Sequence, residues 1–121
     1  MLFTIDGEQI TDLPKNRKRD FTRWRTQLSD LEFLKIKNEL INRIDGNNVH
    51  TSSWIPGTHW GGTVFEPLYH ACNKNETHAA FFFGLILFHV MIEHNECWSF
   101  GKFDLNGKSI KGLTYFKIVC P

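Results

Sequence analysis

Cysteine is scarce and odd in number. Cys72, Cys97 and Cys120 are the only three in the chain, and none is spaced C-x-x-C. Secreted disulfide scaffolds pair an even set, so a reducing compartment is the expectation here. The opening residues, Met1-Leu2-Phe3-Thr4-Ile5-Asp6, lack the basic and apolar regions of a secretory signal. The longest apolar run, Ala79 to Ile92, is fourteen residues long and interrupted by Gly84 and His89. That is too short to span a bilayer and reads as a buried helix. These absences predict a soluble, cytoplasmic protein with no membrane association.

Catalytic signatures are missing too. The chain has no H-E-x-x-H, no EF-hand loop and no G-x-S-x-G elbow around Ser52 or Ser53. The P-loop pattern is absent, notably its Lys-Ser/Thr ending. No metal and no cofactor is expected.

What is present is globular. At 121 residues, 41% hydrophobic and 22% charged, the chain is the size of one domain spanning residues 1–121, with one ordinary core. Eleven Phe stand against two Tyr, and most of those rings belong inside.

The order of elements follows from turn and cap chemistry. Phe3 to Ile10 alternates around Asp6-Gly7, and Phe103 to Ile110 does so around Asn106-Gly107; both are hairpin phrases. Ser29 and Glu32 form an S-x-x-E capping box. After it Leu31, Leu34, Leu40, Ile41 and Ile44 take helical spacing, up to a left-handed stop at Gly46. A shorter helix begins at Thr63, with Glu66 three residues on and Pro67 in its first turn. Asn75 caps a third helix over Glu76 to His94. This helix is apolar nearly all round and therefore expected to be enclosed. Cys97 to Phe103 and Leu113 to Val119 read as paired strands. The predicted class is α+β: an antiparallel sheet built from N-terminal and C-terminal hairpins, packed against a buried central helix and two further helices.

Three constellations carry chemistry. From Lys15 to Arg25 stand Lys15, Arg17, Lys18, Arg19, Arg23 and Arg25 against the single anion Asp20. That is a local charge of +5, leaving −4 for the rest of a chain whose total is +1. With Trp24 and Phe21 among them, these cations suit phosphates and stacked bases, or an acidic protein surface. The plainer reading is a solvated loop running into a strand or helix, with Phe21 and Trp24 anchored in the core.

The second constellation is His50 to Thr63, which holds two of the four Trp and three of the nine Gly and carries no formal charge. Trp54 and Trp60 can wall a pocket, and Gly61, Gly62 and Thr63 ahead of a helix resemble an anion cradle. His50 and His59 are candidate acid/base groups. The plainer alternative is a loop pinned to the core by its two indoles.

Third, Glu66 and His70, like His89 and Glu93, stand four apart on helices. If the two helices cross, these four converge into a cluster able to share a proton or hold a metal. Cys97, three residues past His94, can approach it as a thiolate–base pair, although a buried thiol is the commoner role.

Two functions follow. The first is a small intracellular binding or regulatory protein, using residues 15–25 and 50–63 to engage an acidic protein or nucleic acid. Its oligomeric state is left open. The alternative is a small hydrolase or transferase acting on a phosphate-bearing ligand, with His50, His59, Glu66 or His70 as acid/base.

Overall fold

The structure is a computed structural model that describes residues 1–46, 48–51, 61–105, 107–109 and 112–121. Two of the four described helices, the second and the fourth in chain order, begin on a side-chain cap. The basic stretch is helical throughout: α1 spans Lys15–Arg25 behind Pro14, which supplies no side-chain cap. α2, Asp30–Ile44, opens on the Ser29 capping box. The Glu32 N–H donates to Ser29 Oγ at 3.0 Å, and the Ser29 N–H donates to Glu32 Oε1 at 2.9 Å. The helix stops before Gly46, whose φ of 81° is left-handed. α3, Glu66–Ala71, carries Pro67 in its first turn and begins at Glu66, not at Thr63 as expected; residues 63–65 form a turn, and no side chain caps the helix. α4, Glu76–Glu93, is capped by Asn75, whose side-chain oxygen accepts from the His78 N–H at 3.0 Å.

The short strands are β1 (Leu2–Phe3), β2 (Gln9–Ile10), β3 (Val49–Thr51), β4 (Trp98–Gly101) and β7 (Thr114–Lys117), with β5 (Asp104–Leu105) and β6 (Lys108–Ser109) forming a separate pair. Five of them make one sheet in the order β2-β1-β4-β7-β3. β1 and β2 pair antiparallel, as do β4 with β7 and β7 with β3. β1 and β4 run parallel, with Leu2 opposite Trp98. The class is therefore α+β with a mixed sheet and four helices among the described residues, not the antiparallel sheet and three helices expected. The reason is the crossover. Everything from α1 to α4 lies between β1 and β4, and a connection of that length delivers its strand parallel as readily as antiparallel.

Leu2, Trp98, Phe100 and Tyr115 face the helices across the sheet, and Ile36, Leu40 and Ile44 of α2 meet Phe82, Phe83, Ile86 and Leu87 of α4 in one core. Leu31 and Leu34, counted with the apolar stripe of α2, lie outside it at 60% and 53% exposed.

By length and composition α4 is apolar enough to cross a membrane, with 18 residues and a mean hydropathy of 1.3. This chain's own elements cover Ala79, Phe82, Phe83, Ile86, Leu87, Phe88, Val90 and Met91. They do not cover it on every side: Thr77, Ala80 and Phe81 are exposed, and Gly84 and Leu85 half-buried. The expected all-round enclosure is not what forms.

Cys97 and Cys120 are joined in a disulfide, their Cα atoms 5.3 Å apart, and Cys72 is free and buried. That pairing replaces the expected set of three thiols, and the odd count ceases to argue for a reducing compartment. It also ends the idea of Cys97 as a thiolate partner of His94.

Candidate binding surface

α1 is held to the core by two rings. Trp24 is 6% exposed, its indole 5.7 Å from Phe82 and 5.6 Å from His78. Phe21 lies 6.0 Å from Phe82 and 6.4 Å from Phe33. These contacts use up the aromatic residues of the segment as anchors, which is the plainer of the two expectations for them. Its cations divide into two sets. Lys18 pairs with Asp12, Arg23 with Asp20 at 3.2 Å, and Arg25 with Asp30 at 2.8 Å. The Lys18 ammonium, hydrogen-bonded to Asp12, holds that carboxyl below its usual range. Lys15, Arg17 and Arg19 are exposed, and no described carboxylate forms a salt bridge with them.

Arg17 and Arg23 rim a hollow of about 230 Å³, lined also by Asp20, Trp24, His78, Phe81 and Leu85. The Arg17 guanidinium lies 5.2 Å from the centroid of the Phe81 ring, within cation–π range. Sequence reasoning found the cations and missed Phe81. α4 is apolar nearly all round, so its sequence does not mark which side the fold leaves open.

A second hollow, about 430 Å³, lies between α2 and the end of α4 and is lined by Lys37, Ile41, Asp45, Val90, Glu93, His94 and Asn95. Its charged groups are already engaged with one another. Lys37 reaches Glu93 at 2.9 Å and His89 reaches the same carboxylate at 2.9 Å. The hydrogen bond from Lys37 pulls the Glu93 carboxyl below its ordinary value. Both ring nitrogens of His94 are occupied, by Trp98 and Glu96 on Nδ1 and by Asp45 on Nε2.

The two expected Glu–His pairs stay apart. Glu66 and His70 face each other at 3.9 Å on the outer side of α3, beside a third hollow of about 290 Å³ with Gln27, Glu32, Pro67 and Ala71. His89 and Glu93 belong with Lys37. Among the described residues, no group of three or more His, Cys, Asp or Glu is placed to hold a metal.

His50 on β3 is 7% exposed. Its Nε2 lies 3.2 Å from the Ile44 carbonyl, and its ring packs against Trp98 at a tilt, with centroids 5.9 Å apart. Burial lowers its pKa from 6.5. A carbonyl only accepts, so Nε2 carries the proton and points into the protein. Trp54, His59 and Trp60 lie outside the described residues. Gly61 and Gly62 form an exposed turn ahead of α3. There the Phe65 N–H donates to Thr63 Oγ1 at 3.2 Å and the Glu66 N–H to the Thr63 carbonyl at 3.2 Å. Pro67 has no N–H, so the turn itself consumes these donors at the head of α3.

Compared with known proteins, the chain matches no family model, no curated protein and no solved structure. The chemistry of its own surface is the guide to function.

Proposed function

We propose that this chain is a small binding protein that engages an acidic partner through the cations of α1. The observation that carries this is where they sit. A helix N-terminus is the positive end of the helix dipole, and cations in the first turn cost stability, by roughly 0.3–1 kcal/mol each. α1 nevertheless has no acidic residue in its first turn and no side-chain cap, and Lys15 and Arg17 stand there with Lys18 and Arg19 following. The arrangement opposes local helix chemistry and concentrates positive potential at one exposed end. It suits a negatively charged partner better than it suits the fold. In this reading the segment 50–63, with Trp54, Trp60, Gly61, Gly62 and Thr63, is a second contact.

The test is binding of labelled oligoglutamate and of single-stranded DNA across a salt titration. Affinity for at least one probe should fall steeply with salt. It should drop about tenfold or more in the triple variant Arg17→Ser/Lys18→Ser/Arg19→Ser. The melting temperature should not fall appreciably: these side chains are exposed, the Lys18–Asp12 pair is a surface one, and relief of the unfavourable first-turn charge at Arg17 offsets the lower helix propensity of Ser. Binding that ignores both salt and the triple variant overturns the reading.

A further inference from the structure

The open side of α4 adjoins the cationic end of α1, and together they have a shape as well as a charge. Phe81 is 48% exposed. Leu85, one turn on, forms part of the hollow beneath Arg17. Thr77, Ala80 and Gly84 complete that side of the helix without bulk, and a Cβ built on Gly84 meets nothing within 4 Å. An apolar helix whose small residues face solvent beside an exposed Phe leaves room for a second backbone to approach.

Two features select the occupant. The hollow, about 230 Å³, is below the size that encloses a small-molecule ligand and is suited to a single inserted side chain. Its rings offer no good platform for bases. Phe81 already carries the Arg17 guanidinium at 5.2 Å, and Trp24 is held among Arg23, His78 and Phe82. Stacking on nucleic acid needs a free aromatic face. Carboxylates meet Arg17 directly, as bidentate partners of a planar guanidinium.

We propose that the α1–α4 face docks an acidic amphipathic helix of a protein partner, with one apolar side chain entering the hollow between Phe81 and Leu85 and a flanking carboxylate on Arg17. This rests on the reading of α1 as the surface for an acidic partner, and adds to it the partner's class and the apolar half of the contact.

The probe is a labelled helical peptide of roughly four turns, with Leu along one face and Glu along the flanks. Three controls accompany it: Leu replaced by Ser, Glu replaced by Lys, and a single-stranded DNA. The Leu/Glu peptide should bind, and the Ser and Lys versions should bind about tenfold more weakly or worse. Phe81→Ser and Arg17→Glu should each cost about tenfold for the Leu/Glu peptide, with an unchanged melting curve showing that they fold. The Ser peptide tests the apolar contact on unaltered protein, whatever Phe81→Ser does to folding. If the Ser peptide binds as well as the Leu peptide, the contact is charge alone. The helix-docking proposal then falls while the reading of α1 stands. DNA binding without peptide binding gives the same division. Sedimentation showing a dimer that Phe81→Ser dissolves would assign the face to a second copy and overturn the proposal. If the peptide fails to bind but oligoglutamate binds, only the helix-docking proposal falls; if peptide, oligoglutamate and DNA all fail to bind, both readings fall.

Discussion

The indole Nε1–H of Trp98 donates to Nδ1 of His94 at 3.3 Å, and this bond determines which tautomer the imidazole adopts. The Glu96 N–H donates to the same nitrogen at 3.1 Å. Two obligate donors converge there, so Nδ1 is bare and Nε2 carries the hydrogen, which it gives to Asp45 at 3.3 Å. Trp98 is fully buried, with His94 5.8 Å away edge-on and His50 5.9 Å away on another side. The two histidines brace a core tryptophan. Trp98→Phe removes the donor and part of the volume together, and should cost about 2 kcal/mol in urea unfolding. Asp45→Asn keeps an acceptor at an exposed position and should cost less than about 1 kcal/mol. If the two costs come out in the reverse order, the bracing role is wrong.

His50 predicts a pH dependence. Its folded pKa is depressed, with burial the main cause, opposed by the bond to the Ile44 carbonyl. The unfolded chain therefore takes up a proton near pH 6.5 while the folded one does not. The His50 contribution to stability is complete above that pH and is lost as the pH falls from 6.5 toward the lower folded value. Urea midpoints of the wild type and of His50→Gln, compared at pH 7.5 and pH 5, isolate the effect. The wild type should lose more stability on acidification than the variant.

The cysteines can be counted chemically. Burial pushes the Cys72 thiol up to about 11, so the native protein should not react with a thiol reagent at neutral pH. In denaturant without reductant one equivalent should appear, from Cys72, and after reduction all three. Cys120→Ser opens a loop with a sequence separation of 23 and should cost about 3 kcal/mol. Three equivalents before reduction would mean that Cys97 and Cys120 are not bonded.

The α2 cap gives the simplest stability test. Ser29→Ala strips the acceptor from the Glu32 N–H and should lower the unfolding free energy by about 1 kcal/mol. Because the capping box is exposed, no cavity term adds to this. A loss of several kcal/mol would mean that Ser29 does something beyond capping.

What could be read along the chain was whatever needed few residues to decide it. Ser29 with Glu32, Asn75 as a cap and Pro67 in a first turn are each settled within three or four positions, and the structure places all three so; the helix start expected at Thr63 lies at Glu66 instead, because the Thr63 hydroxyl and carbonyl close the turn before it. α1 was harder. Phe21 and Trp24 are its apolar anchors within a run of cations, so the helical period is nearly invisible there, and Pro14 leaves no capping residue to announce it. On α2, Leu31 and Leu34 keep helical spacing with the residues that do enter the core. Only the position of α4 decides that Ile36 is buried and they are not. The candidate site divides in the same way. The cations of α1 are legible as a cluster, whereas the hollow beneath Arg17 is built by Phe81 and Leu85 from a helix far along the chain.

Local chemistry in the sequence thus settled the caps, the turns at Gly7 and Gly46, the concentration of positive charge and the apolar character of α4. Tertiary packing alone decided that β4 lies parallel to β1, that Cys97 meets Cys120, and that one side of α4 is left uncovered beside Arg17. The physical reason is range. A cap or a turn is a bargain among neighbours, while strand direction, disulfide pairing and an open helix face depend on how distant segments share the volume of one core.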